Sequence, residues 1–261
     1  MIKVITVNYK QKNYIQKLVD SLDKDAELYI VDNSGELVNK KFDQTTILNP
    51  GKNIGYLHGL VFGTKMIEIK DDDFVIWTNP DITFAEGFFD ILKKNTGNNY
   101  EMLAPRIINS KGQDQNPNML SQASRLRIAL SDIEFSSYLL FVIVGAIKIF
   151  LKSLLNRNKL AKIDYKLRQK IFQGHGACMI FNGIFFLYPK DFDYNIFLWG
   201  EEAVIANEVR KRGGAIIYDP SLIVFHDEGS ITSIIPTRER FIQTSKSYKI
   251  YRKYLRYNNL F

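Results

Sequence analysis

The chain has 261 residues, 46% of them apolar and 24% charged, with a formal net charge of +7. That length and apolar content suffice for one large α/β domain. A single cysteine, Cys178, excludes an internal disulfide and fits a reducing compartment. The charge is uneven: residues 145–170 carry +7 and residues 236–261 carry +6, leaving −6 for the rest of the chain. An acidic body with two basic segments points to an anionic surface as partner, lipid or nucleic acid.

The opening Met1-Ile2-Lys3 runs straight into a strand pattern over residues 2–7, with no signal-peptide pattern before it, so a cytoplasmic protein is expected. Residues 13–22 place Ile15, Leu18, Val19 and Leu22 at helical spacing. A second strand over 27–31 ends at the turn cluster Asp32-Asn33-Ser34-Gly35, and a short third strand covers 45–48. A helix over 55–69 and a fourth strand over 73–78 follow. This alternation predicts an α/β fold with a mostly parallel central sheet and helices on its faces. A further strand is expected at 102–108 and a polar loop at 113–122. Residues 138–147 are apolar apart from Tyr138, too short a run to span a bilayer, which needs roughly 20 residues. Such a helix, with Lys148 and Lys152 after it, fits either the membrane interface or a core or dimer contact, leaving a homodimer open. Residues 157–170 read as a basic helix, 174–181 as a strand, and 215–218 and 222–225 as two short strands. The tail from 238 to 257 alternates aromatic and basic residues and reads as a C-terminal helix with surface chemistry.

Two places display carboxylates at the end of apolar runs. Phe74-Val75-Ile76-Trp77 is a buried strand pattern that must stop at Pro80, which cannot donate to a sheet ladder. Asp81 is therefore offered at a strand end, where α/β proteins place ligands. Glu201 and Glu202 follow Phe197-Leu198-Trp199-Gly200 and open a helical stretch. Two acids favour a helix N-terminus in any protein, but that effect does not call for the aromatic-Gly context before them. Asp71-Asp72-Asp73 precedes the fourth strand and is expected to be a solvated turn at the opposite sheet edge. Asp32 is either a contact to a nucleotide base or ribose or the acceptor of an Asx turn. Val7 and Asn8 end the first strand and are expected in the same pocket. Asn53, Gly55 and Gly59 offer a close backbone approach or an ordinary helix entry.

Seven segments occur in an order that resembles the family 2 glycosyltransferases of the GT-A fold, near their rhamnosyltransferase-like branch. They are residues 4–9, Val31-Asp32-Asn33-Ser34, residues 49–56, Asn79-Pro80-Asp81, residues 174–179, Trp199-Gly200-Glu201-Glu202 and Val224-Phe225-His226. The resemblance implies inverting transfer of a sugar, with L-rhamnose from dTDP-rhamnose as the branch's donor, to a lipid-linked glycan or polysaccharide precursor. It implies a dTDP- or UDP-sugar site at Val7, Asn8, Asp32, Asn53, Gly55, Asn79 and Asp81. Asp81 and His226 become the ligands of Mn²⁺ or Mg²⁺, although Asn79 replaces the usual first acid and lowers the charge of that site. The family's Glu-Asp pair carries over to Glu201 and Glu202, with Glu202 as general base. Trp199, Gly200 and His175 fall on the acceptor side.

The expected organisation is a catalytic domain over 1–235 and a basic aromatic helix over 236–261. The domain comprises a nucleotide-sugar half at 1–120, a helical insertion at 121–170 and an acceptor half at 171–235. The basic segments would hold the protein at the anionic inner face of the cell membrane. Nucleic acid is not an expected partner, because no nucleic-acid fold accompanies the aromatic-basic tail. A degenerate, non-catalytic interaction protein is the alternative that the Asn79 and Glu202 departures support. A nucleotidyltransferase is less well matched, since the N-terminus has no Gly-rich phosphate loop with Arg or Lys.

Overall fold

The computed structural model describes residues 1–95, 101–154, 164–187, 194–228 and 237–256. Strands β1 (Ile2–Asn8), β2 (Ala26–Asp32), β3 (Thr45–Leu48) and β4 (Phe74–Thr78) form a parallel array in the order β3-β2-β1-β4. Every residue of β1 and β4 is buried, as expected for parallel strands covered on both faces. Alternate side chains enter two cores. Val4, Ile30 and Ile76 pack with Ile15 and Leu18 of α1 (Lys12–Asp20). Ile5, Val31 and Trp77 pack with Leu57 and Leu60 of α2 (Tyr56–Lys65).

Past β4 the sheet continues with β8 (Cys178–Asn182), antiparallel to both β4 and β6 (Met102–Asn109), and then β9 (Ile216–His226), parallel to β6. The free edge of β9 takes β7 (Gln169–Ile171) near its start and β5 (Ile82–Phe84) at its end. The α/β sheet is thus parallel in its first half and mixed in its second. α3 (Phe88–Lys93) follows β5 and adds Phe88, Phe89 and Leu92 to the first core.

Several expectations are corrected here. The two short strands near 215–225 are one strand, β9, with a register shift opposite Pro105 and Arg106. Pro220 breaks the ladder locally, and Asp219 Oδ1 bridges the irregularity by accepting the Ser221 N–H at 3.0 Å. The strand expected at 174–181 begins only at Cys178; residues 174–177 connect it to the preceding segment. The helix after Gly55 ends at Lys65 rather than 69. Of the basic helix expected at 157–170, residues 157–163 lie outside the described residues; residues 164–168 are turn and loop, and 169–170 begin β7. Asp73 is not solvated: it is buried at the start of β4 and accepts the Lys70 N–H at 2.9 Å, leaving Asp71 and Asp72 exposed.

The insertion contributes α4 (Arg125–Glu134), begun by the Ser124 side chain accepting the Arg127 N–H at 3.1 Å, and α5 (Tyr138–Leu154). Both pack against the C-terminal α8 (Thr237–Tyr251). Phe135 meets Tyr248 at 4.6 Å, Phe141 meets Phe241 at 5.5 Å, and Asp132 accepts from Tyr248 Oη at 2.7 Å and Arg252 Nη2 at 2.6 Å. α8 also reaches α7 (Glu201–Lys211), and its Ser247 hydroxyl donates to Leu198 O at 2.7 Å. The tail is therefore a wall of the site region, in addition to being basic surface.

Candidate active site

The carboxyl ends of β1, β2 and β4 put Asn8, Asp32 and the Asn79–Asp81 turn at one edge of the sheet, where open parallel sheets bind ligands. Asp32 is turned onto its own loop. Its Oδ1 accepts from Asn8 Nδ2 at 3.0 Å and from the Ser34 amide and hydroxyl at 3.2 and 2.9 Å, and Oδ2 accepts the Leu37 N–H at 2.8 Å. This is the Asx-turn outcome: Asp32 and Asn8 shape the pocket edge. The Val7 side chain packs in the core against α2, so closely that a Cβ on Gly59 would stand 2.7 Å from Val7 Cγ2. Gly59 is thus a helix–sheet packing residue.

Asn53 Oδ1 accepts the Gly55 N–H at 3.0 Å, and Gly55, at φ 84°, enters α2. Any side chain there would strike Phe197 O at 2.6 Å. Asn33, not singled out from sequence, ties the β2 loop to this point through a 3.1 Å bond to Gly55 O, and its buried Oδ1 has no donor among the described residues.

Asp81 is buried, and its Oδ1 lies 3.3 Å from His226 Nε2. The orientation of His226 follows from a relay. Gln115 Nε2 donates to Glu228 at 2.6 Å, which turns Gln115 Oε1 toward His226 Nδ1 at 2.8 Å. Nδ1 then donates to Gln115, which directs Nε2 at Asp81. Asp81 Oδ1 has no hydrogen-bond donor among the described residues, and Asn79 Nδ2 is 3.5 Å from Nε2. Asp81 Oδ1 and His226 Nε2 are thus placed for a proton or a cation to join them. A neutral imidazole whose other nitrogen is held by an amide oxygen is also the usual arrangement of a metal ligand. The donor set thus fits Mn²⁺ or Mg²⁺ with few protein ligands. Among the described residues no cluster of three or more His, Cys, Asp and Glu is arranged around a metal position.

His175 sits between this pair and the acids. Its N–H donates to Asn116 Oδ1 at 2.8 Å, its Nδ1 accepts the Ala177 N–H at 3.1 Å, and its ring is 6.1 Å from that of His226. Burial, with His226 beside it, lowers its pKa to about 4, so at neutral pH it is an uncharged Nε2–H donor. Tyr56 Oη donates to Gly176 O at 3.1 Å, and burial together with the surrounding acids keeps this phenol protonated.

Glu201 and Glu202 open α7 after two left-handed residues, Trp199 at φ 63° and Gly200 at φ 91°. Both carboxylates bear on Gly176: a Cβ there would lie 3.0 Å from Glu201 Oε1 and 3.1 Å from Glu202 Oε1. Burial pushes the Glu201 carboxyl well above its ordinary range, and the neighbouring Glu202 adds to that. Burial raises Glu202 as well, but N–H groups of Glu202, Gly176 and Gly200 favour its charged form. Burial thus raises both carboxyls, Glu201 the more, and backbone N–H groups offset part of that rise at Glu202. Gly200 is pinned under Tyr251 of α8, whose ring leaves no room for a Cβ. A cavity of about 460 Å³ opens beside Glu202, with Trp199, Gly200 and Tyr251 on its wall. Cys178 is buried core, its thiol pushed up to about 12 by burial.

The sequence thus named most of the residues brought together here. It missed Asn33, Tyr56, Gln115, Gly176 and Tyr251. The first, second and fourth lie inside segments quoted for their motifs, whereas Gln115 and Tyr251 had no local signal.

No protein-family model matches the chain. A stretch of 116 residues, 42% of the chain, is 28% identical to the low-salt glycan biosynthesis hexosyltransferase Agl10 of Haloferax volcanii and covers 38% of that protein. Among solved structures, the chain is similar to GalNAc-T7, crystallised with UDP, GalNAc and Mn²⁺, at a TM-score of 0.58 and 14% identity. That match covers 98% of the chain and 49% of the solved one. At this identity the likeness establishes the fold, which is the GT-A type α/β fold.

Proposed function

We propose that the chain is an inverting, nucleotide-sugar-dependent glycosyltransferase of glycan assembly with Glu202 as general base. The observation that carries this reading is the meeting of two buried carboxyls on Gly176 at the start of α7. Glu202 faces a cavity, Glu201 stands beside it, and the Asp81–His226 pair lies at the end of the adjoining strands. In the step inferred, an acceptor hydroxyl gives its proton to Glu202 and its oxygen bonds to the anomeric carbon. The anomeric C–O bond to the diphosphate breaks, its electron pair leaving with the nucleoside diphosphate, and the configuration inverts. Glu201 donates a hydrogen bond to acceptor or donor oxygens, and His175 supplies a neutral N–H donor. Asp81, His226 and the Asn79 amide oxygen are the groups that would hold Mn²⁺ or Mg²⁺, whose chemistry is to neutralise charge on a diphosphate. The base and ribose fall to Asn33, Asn53 and the Gly55 entry of α2, on a pocket edge that Asn8 and Asp32 shape.

The donor we infer is dTDP-rhamnose, from the Asn79-Pro80-Asp81 resemblance; UDP-sugars are the rival class, since the similar GalNAc-T7 holds UDP. Calorimetry with dTDP, UDP, GDP and CDP, each with and without Mn²⁺ or Mg²⁺, tests the donor site. Cation-enhanced binding of one of them supports the reading and names the donor for a transfer assay. Binding by none refutes it in favour of a degenerate interaction protein.

The acceptor in this reading is a lipid-linked glycan met at the anionic inner membrane surface. Leu126, Leu130 and Ile133 of α4 and Leu139, Ile143, Ile147 and Phe150 of α5 form exposed stripes at helical spacing, and Lys246 and Lys249 of α8 are exposed. No helix among the described residues is long and apolar enough to cross a membrane. Basic residues near an anionic surface contribute about 1 kcal/mol each. Salt-sensitive pelleting with phosphatidylserine vesicles, lost in a Leu139→Ser/Ile143→Ser variant, is the expected result. Absence of pelleting removes the membrane partner.

A further inference from the structure

The cavity beside Glu202 has its own chemistry. The insertion and the tail supply part of its wall beside Gln173, Trp199 and Glu202, and none of Asn8, Asp32, Asp81 or His226 lines it. α8 contributes Arg240, Thr244, Tyr248 and Tyr251, one helical face at successive turns, and α4 contributes Arg127 and Ser131, one turn apart. Two guanidiniums therefore share a space whose lining, among the described residues, holds one carboxylate, Glu202. Arg127 makes no ion pair among the described residues, yet lies close enough to Tyr251 for its charge to act on that phenol. Gln173, also on the wall and 94% buried (6% exposed), has an Oε1 with no donor among the described residues, an acceptor awaiting a hydroxyl. Trp199, Phe141 and the two tyrosines supply aromatic surface of the kind that covers apolar ring faces. About 460 Å³ is within the range of small-molecule sites.

We propose that this cavity is the acceptor subsite and that it takes a saccharide bearing an anionic substituent, held by Arg127 and Arg240 while a ring hydroxyl reaches Glu202. The proposal rests on the glycosyltransferase reading and narrows it to an acidic acceptor. Guanidiniums bind carboxylate and phosphate oxygens as forks, stronger than neutral hydrogen bonds. A fixed anion at that end of the cavity sets which hydroxyl stands against the base.

The test compares glucose, glucuronate and glucose 1-phosphate as ligands of the full chain by NMR titration, with and without the nucleotide that calorimetry selects. Wild type, Arg127→Gln and Arg240→Gln are measured at low and high salt. Both acidic sugars, or one of them, should bind at least roughly tenfold tighter than glucose, as one charge-assisted pair implies. That preference should shrink in either variant and with added salt. A stronger response to glucuronate assigns a carboxylate sugar, and a stronger response to glucose 1-phosphate a phosphate-linked one. Equal binding of all three, or a preference that survives both substitutions, overturns the proposal. Nucleotide affinity separates the two readings. A variant that keeps it has an intact donor site, and wild type that never shows it refutes the enzyme reading while the sugar titration still answers this one. Should a variant fail to fold, the salt dependence of the wild-type preference decides alone.

Discussion

Gly176→Ala tests whether the two acids of α7 form the reaction centre. Gly176 is not among the glycines with positive φ, so alanine is compatible with its backbone. The added Cβ would meet Glu201 Oε1 at 3.0 Å, Glu202 Oε1 at 3.1 Å and Glu202 Cγ at 3.2 Å, so the acids must yield by a few tenths of an ångström. The 3.4 Å bond from the Gly176 N–H to Glu202 is already long and would be lost in that movement. A displacement of 1 Å lowers catalysis by about 10²-fold, so a few tenths correspond to roughly fivefold in kcat, about 1 kcal/mol on the barrier. Nucleotide affinity should stay unchanged, because the added Cβ meets Glu201 and Glu202 while the Gly176 carbonyl keeps its bond from Tyr56. The assay is nucleoside diphosphate release under single-turnover conditions, with Gly145→Ala as control, since nothing lies within 4 Å of a Cβ at Gly145 on α5. Wild-type turnover in Gly176→Ala, alongside a confirmed fold, would refute the placement of Glu202 at the reacting atoms.

Glu202→Gln should lower transfer by about 10³-fold while leaving nucleotide binding intact, the loss expected of a general base; retained turnover in a steady-state assay removes Glu202 from that role. Asp81→Ala should abolish the cation enhancement of nucleotide affinity, read by calorimetry, and Gln115→Leu should weaken that enhancement about tenfold by releasing the His226 tautomer. Unchanged cation dependence in both dismisses the metal pair. Glu201 has a folded-state pKa above its unfolded value, so the stability it gives as a neutral acid is present below the unfolded pKa and is lost as pH rises through the folded one. Glu201→Gln should therefore raise Tm at neutral to alkaline pH and flatten its decline with pH. A Tm that falls by the same amount at every pH contradicts a buried, protonated Glu201.

The strand ends that carry Asn8, Asp32 and Asp81 were legible because each follows an apolar run whose termination is local. Asp32-Asn33-Ser34 and Pro80 stop their strands by turn chemistry and a missing N–H. Glu201 and Glu202 were legible from their Trp-Gly context. What Asp32 does was not, because its carboxylate is claimed by Ser34 and Leu37, and a turn acceptor reads like a ligand contact in the sequence. Pro220 likewise made β9 read as two strands, since a proline marks a lost hydrogen bond but not the Asp219 side chain that spans the irregularity.

The sequence by itself determined the α/β layering, the largely parallel character of the sheet and the identity of the acids at the strand ends, since apolar period and turn chemistry act over a few residues. Only the tertiary structure decided which acids are buried together, which nitrogen of His226 faces Asp81 and which wall the tail supplies. Those properties depend on groups distant in the chain: Gly176 under Glu202, Gln115 against His226, 111 residues apart, and Tyr251 over Gly200. Burial and hydrogen bonding at such contacts set charge, and neither exists until the sheet has closed around them.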